Sequence, residues 1–242
     1  MIARRAGTSA LSSERHIMLP DSTELSSKKS VGEWRAIQPN LLAGANPEIW
    51  GSILKDFYFD RLKTRYLDPI EAILKMELSA GEGFAVVAIQ CSLIEFLESC
   101  FQGVNYVNER RKAFSFGRWL KGMLSCHGSN NAARYRYKNS GKIFVAFLTK
   151  QEPFKRHFSK ALAQDFYKSV RCGILHEART KGKWLIHKES QASLIIDAER
   201  RILYRNNFHR ALLEFINAYC EEVPLQLERQ RAFIRKFDHL CE

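Results

Sequence analysis

Asp165-Phe-Tyr-Lys-Ser-Val-Arg171-Cys-Gly-Ile-Leu-His176-Glu-Ala178 combines helical apolar spacing with an isolated arginine and histidine. It closes a run that starts at Pro153, a residue suited to a helix first turn, and that places Phe154, Phe158, Leu162, Phe166, Val170, Ile174 and Leu175 mostly four apart. That spacing predicts a helix with one apolar stripe, reaching about Ala178. Upstream, Phe84 to Phe101 reads as a second helix, apolar at Val86, Val87, Ile89, Leu93, Ile94, Phe96 and Leu97 and therefore central. From Pro47, Trp50, Ile53, Leu54, Phe57, Leu62, Tyr66, Ile70 and Ile73 predict two consecutive helices separated at Pro69. A short helix is expected near Ile143–Leu148, and two more at Asn207–Glu222 and, after Pro224, Leu225–Leu240. Lys183–Lys188 and Ser193–Asp197 are two short runs that read as a β-hairpin. The sum is a mainly α fold, a helical bundle with a small β-hairpin.

The chain has 242 residues, 45% of them hydrophobic and 26% charged, enough to bury a core. Residues 1–45 are rich in Ser, Thr, Gly and charge and are expected to be a flexible leader, with Trp34 and Ile37 docking locally. Residues 46–242 form the folded domain. Within it, 102–141 lacks clean periodicity, holds five glycines and reads as a long loop insertion.

The formal net charge is +12, and its position says more than its size. Residues 104–188 carry 19 basic and 4 acidic side chains, so the whole excess is one block. Such a block suits either a solvated face or contact with a polyanion, RNA above all. In the insertion, cations alternate with aromatics: Arg110, Arg111 and Lys112, then Arg134, Tyr135, Arg136, Tyr137 and Lys138. Aromatic faces that stack unpaired bases between cationic grips on phosphate would use this pattern; core filling beside a charged face would use it too.

Other classes are excluded or disfavoured by pattern. The longest uninterrupted apolar stretch, Phe84 to Ile89, is far short of a membrane span, and the first 13 residues lack the apolar core of a secretory signal, so a cytoplasmic protein without a membrane anchor is expected. Cysteines 91, 100, 126, 172, 220 and 241 form no zinc-type spacing and read as reduced thiols. H-E-x-x-H, the P-loop, G-x-G-x-x-G and G-x-S-x-G are all missing, so neither metal nor cofactor is expected and any chemistry falls to ordinary side chains.

In the opening segment, Arg171 precedes His176 with four residues between. Five residues correspond to about 140° around a helix, so the two border the apolar seam from either side, as suits an interface between helices. Gly173 lies between them although glycine costs about 1 kcal/mol in a helix, which signals either a close approach by another group or a kink or C-cap. At these residues the sequence resembles the HEPN superfamily, named for its occurrence in higher eukaryotes and prokaryotes, whose signature is Arg, four to six residues, then His, on a helix of a small α-helical bundle. Gly83-Phe-Ala-Val-Val-Ala-Ile-Gln-Cys-Ser-Leu-Ile-Glu95-Phe-Leu-Glu98 is similar to the earlier bundle helix that brings an acidic residue towards the motif. Phe166-Tyr167 and Asn207-Phe-His-Arg-Ala-Leu212 are similar to segments of bacterial HEPN-like proteins, and the resemblance spans about 83–222. Ala178 stands where toxins of the HEPN–nucleotidyltransferase pairs often carry Tyr, which speaks against a target-tyrosine mechanism.

The resemblance implies a HEPN-like bundle and a metal-independent endoribonuclease, with two protomers packing their motif helices so that paired Arg and His line one cleft. It also implies a toxin or anti-phage effector, with a cognate antitoxin or regulatory protein as partner. The residue types fit that chemistry. A neutral imidazole, with an ordinary pKa of about 6.5, can take the proton from a ribose 2′-OH; His176 is the expected acid/base. A guanidinium can hold two phosphate oxygens and the charge that grows on them; Arg171 is assigned that role. Glu95, or less favourably Glu98, would orient them, and Arg179 joins the RNA-binding set. The alternative is a non-catalytic RNA- or nucleotide-binding sensor module using the same cleft, or an interaction protein whose basic loop only solubilises it.

Overall fold

The computed structural model describes residues 18–41, 44, 46–76, 81–107 and 135–242. The architecture is mainly helical. The central element is the long helix Glu82–Gln102, which runs one or two residues beyond the expected Phe84–Phe101 at each end. It is here α5, following α1 (Val31–Ile37) and the segments α2 (Pro47–Ile53), α3 (Asp60–Leu62) and α4 (Asp68–Lys75). After it come α6 (Ser140–Lys150), α7 (Lys160–Phe166), α8 (Cys172–Glu177), α9 (Arg205–Glu222) and α10 (Leu227–Leu240). Among the described residues α5 alone is long and apolar enough to cross a membrane, but α4, α6, α9 and α10 pack around it. Val86, Val87, Leu93, Ile94, Leu97 and Cys100 are fully buried there, which marks a core helix.

Three expectations are corrected. The leader is not flexible over its described part, because its apolar residues are core. Leu25, Val31, Trp34 and Leu41 are buried, Trp34 lies against Phe57, Phe233 and Phe237, and its indole donates to Asp238 at 2.9 Å. Ser30 and Glu33 cap α1 reciprocally, so the chain from Met18 to Leu41 belongs to the folded unit; residues 1–17 lie outside the described residues. Second, 47–75 is one helical rod rather than two helices. Wide π-type turns at Leu54–Phe59 and Lys63–Leu67 link α2, α3 and α4. Residues four apart drift by about 40° on an α-helix, and a wider turn reduces that drift, so Trp50, Leu54, Tyr58 and Leu62 all remain buried on one side. Pro69, in the first turn of α4, follows the second wide turn, where its missing N–H is tolerated.

Third, the two β runs do not pair with each other. β3 (Leu185–His187) lies parallel to β5 (Ile202–Tyr204), and β4 (Ile196–Asp197) lies antiparallel to β5, giving the order β3-β5-β4. Asp197 Oδ1 accepts from the Glu199 and Arg200 backbone N–H groups, a turn that folds β4 straight back onto β5. At the ends of the insertion, β1 (Asn105–Tyr106) and β2 (Arg136–Tyr137) run parallel. Residues 108–134, including Cys126, lie outside the described residues. The other five cysteines are free thiols.

Inside the bundle, Glu98 of α5 is fully buried and accepts from Gln102 and, at 2.9 Å, from Gln151. Burial pushes its carboxyl up to about 7, against those two hydrogen bonds. The folded state therefore binds a proton that the unfolded state has released between pH 4.5 and 7, and stability falls as pH rises through that window. Between pH 5 and pH 8 the loss from this group is about 2 kcal/mol. Glu98→Gln removes the charge and keeps both contacts once one partner glutamine turns its amide so that its carbonyl accepts from the new NH2; urea titrations at the two pH values are expected to show that the variant no longer has this loss.

Candidate functional site

The motif helix is built from two halves and a wide turn. It begins at Lys160 and not at the expected Pro153, because Phe154–Arg156 forms a separate 3₁₀ turn and Ser159 caps α7 by accepting from the Leu162 N–H; a π-type turn covers Tyr167–Arg171, and α8 carries the chain to Glu177. As in the 47–75 rod, the wide turn keeps a stripe of step four on the core: Phe166 and Val170 are fully buried and Ile174 nearly so. Asp165 fixes this helix to the sheet. Its carboxylate accepts from Ser169 at 2.8 Å, from the Trp184 indole at 3.0 Å and from Arg201 at 2.7 Å.

Arg171 points inwards to α5, where its Nη2 donates to Glu95 Oε1 at 2.8 Å; both side chains are about four-fifths buried. The Tyr167 ring lies 5.4 Å from the guanidinium, four residues back on the same helix. Burial would lower the guanidinium pKa, but Glu95 and Tyr167 outweigh it and raise the value, so the side chain remains charged. Tyr137 belongs to this neighbourhood: burial, then the nearby Glu95 carboxylate, push its phenol up to about 12. Glu98, the other carboxylate considered on α5, faces Gln102 and Gln151 and does not reach the motif.

His176 sits on the last turn of α8, exposed, and makes no hydrogen bond among the described residues. Next to it Leu175 is 45% exposed, an apolar residue at the open end of the motif helix. Within one chain, then, Arg171 is held in a carboxylate-lined niche while His176 faces outwards, as expected for residues about 140° apart on a helix. Gly173 resolves as a close approach by backbone. The helix ends at Ala178 in the left-handed conformation, φ 53°, and the chain doubles back so that a Cβ on Gly173 would lie 2.5 Å from the Arg179 carbonyl oxygen.

Of the expected RNA-binding residues, Tyr135, Arg136, Tyr137, Lys138 and Arg179 are described. Arg110, Arg111, Lys112 and Arg134 lie outside the described residues. Tyr135 packs under the Arg235 guanidinium at 4.0 Å, and Tyr137 meets Tyr106 edge-on at 5.6 Å, so both rings contact protein. Arg136 and Lys138 are exposed, and Arg179, also exposed, pairs with Glu177 at 3.2 Å. Sequence reasoning missed the anchoring role of Asp165; its signal was the short polar spacing Asp165/Ser169 on an otherwise apolar helix. Comparison with known proteins finds no matching family model, no matching curated protein and no matching solved structure.

Proposed function

We infer that the chain is a metal-independent endoribonuclease of HEPN type, acting as a homodimer whose motif helices meet. The observation that carries this reading is the division of labour at the motif: a guanidinium fixed by Glu95 at 2.8 Å, and an unpaired, solvent-facing imidazole five residues on. In this reading His176 removes the 2′-OH proton, the oxyanion attacks the adjacent phosphorus, and the 5′-oxygen leaves with a proton returned by an imidazolium. The products are a 2′,3′-cyclic phosphate and a 5′-hydroxyl. Arg171, oriented by Glu95, stabilises the charge on the non-bridging oxygens. Because Arg171 and His176 of one chain face differently, the cleft draws on both protomers. Such an activity would harm its own cell, so a cognate antitoxin or regulatory partner belongs to the proposal.

Incubation of the purified protein with total RNA in EDTA tests the reading. Cleavage by the wild type and none by His176→Ala is expected; no cleavage, or equal cleavage by both, refutes it. The dimer is a separate prediction. The mass in solution at micromolar concentration is expected to be twice the 28.0 kDa chain mass, and a monomer mass contradicts the shared cleft. A second reading, a non-catalytic RNA-binding module, draws on the same salt bridge, since Glu95 already neutralises Arg171 in the free chain. It predicts RNA binding without turnover.

A further inference from the structure

α6 and α7 run antiparallel through the turn at 151–159, with the start of α6 against the end of α7. Phe144 lies 6.0 Å from Phe166 and 5.3 Å from Tyr167, and a Cβ on Gly141 would come within 2.9 Å of the Tyr167 ring. Between the outer faces of these helices lies an open groove of about 750 Å³. Four lysines line it, two from each helix: Lys142 and Lys150 from α6, Lys160 and Lys168 from α7 and its extension. Among the described residues no Asp or Glu lines the groove. All four lysines are exposed and none is in an ion pair among the described residues. Neighbouring cations differ: Lys155 and Arg156 both pair with Glu152, and Arg179 and Lys181 with Glu177.

Four ammonium groups around one concavity, none of them in an ion pair among the described residues, make a local field that favours a polyanion. On α6 the two lysines are eight residues apart, about 12 Å along the axis at 1.5 Å per residue. They therefore form two rows of point charges along the groove and not one anion pocket, which fits phosphates spaced along an extended strand. Val145, Ala146 and Thr149 give the floor an apolar part. At the end marked by Lys142 and Lys168, the groove reaches Tyr167, whose ring also contacts the Arg171 guanidinium. Tyr167 is thus the physical link between the groove and the motif.

We propose that the α6–α7 groove is the track of a single-stranded RNA, whose phosphates lie along Lys150, Lys160, Lys142 and Lys168 and whose strand passes Tyr167 on its way to Arg171. The direction of the track towards the motif rests on the ribonuclease reading; the groove's affinity for a single strand does not.

The probe is a short fluorescent uridine oligonucleotide, followed by anisotropy over a salt series on the His176→Ala background so that the strand survives. Lys150→Gln/Lys160→Gln removes two charges at the end far from Arg171, and its melting curve checks the fold. Affinity is expected to fall roughly tenfold, and the slope of log affinity against log salt to become shallower by about 1.4, the value for two lost contacts on a single strand. Lys155→Gln/Arg156→Gln, which removes two cations already paired with Glu152, is the control and is expected to change neither. On the active background the groove variant raises KM and leaves kcat unchanged. Equal affinity in the groove variant and the wild type overturns the proposal. So does binding of anionic phosphatidylserine vesicles in place of the oligonucleotide. If the groove variant loses binding while the wild type never cleaves, the track stands and the ribonuclease reading falls; if the wild type cleaves and the groove variant binds normally, the reverse holds.

Discussion

Alanine in place of His176 is expected to lower the single-turnover rate of RNA cleavage by about 10²–10⁴-fold, the range for loss of a positioned proton-transfer group. The melting temperature is expected to stay within a degree or two of the wild type, because His176 is exposed and bonds to nothing described. Arg171→Ala is expected to cost about 10²–10³-fold in the same assay, through lost stabilisation of phosphate charge. It is also expected to destabilise the fold, since it leaves the four-fifths buried Glu95 carboxylate without its partner at 2.8 Å. Arg171→Lys keeps the charge, loses the planar fork, and is expected to recover only a small part of the rate. The two variants thus separate a residue that acts only in the reaction from one that also holds two helices together. A His176→Ala protein that cleaves at the wild-type rate leaves the imidazole without a role.

The second large effect concerns Gly173, and here two magnitudes compete. Alanine is the better helix former by about 1 kcal/mol, so on propensity alone Gly173→Ala stabilises α8. The new Cβ would lie 2.5 Å from the Arg179 carbonyl oxygen and 3.5 Å from the Lys181 backbone nitrogen, so backbone must shift. Overpacking of this kind costs about 1–3 kcal/mol, and occasionally more. The clash with backbone outweighs the propensity, and a net loss of about 1 to 2 kcal/mol is expected from urea unfolding. The shift falls on the turn after α8, which carries His176 on its last helical residues, so cleavage is expected to drop as well. A more stable Gly173→Ala protein would contradict the close return of the chain.

How far the sequence discloses this molecule depends on the range of each interaction. Apolar spacing marks every long helix, because burial of a stripe is a local pattern; α5, α9 and α10 start or end within about two residues of the expected places. The same signal hides the π-type turns, since a spacing of four is compatible with either winding, as at Trp50, Leu54, Tyr58 and Leu62. Low hydrophobicity around Trp34 conceals a docked helix, because one indole and three aliphatic anchors suffice to hold 18–41 on the bundle. Strand pairing is the least local feature: Ile202-Leu203-Tyr204 runs directly into α9 and has no turn signal after it, so its place between β3 and β4 is decided by packing. At the site, Arg171 and His176 are legible as a spacing and Glu95 as a carboxylate on the right helix. Their 2.8 Å contact, across 76 residues, is a product of the fold. The lysines of the α6–α7 groove lie in the basic block, but which of its charges remain unpaired depends on where Glu152 and Glu177 fall.

The most direct test is end-group analysis of a defined single-stranded RNA treated with the wild type in EDTA, beside the same strand carrying 2′-deoxyribose at the cleaved nucleotide. A 2′,3′-cyclic phosphate and a 5′-hydroxyl are expected from the all-ribose strand, with no cut at the deoxy position. Cleavage at the deoxy position, or ends bearing a 5′-phosphate, would contradict attack by the 2′-OH.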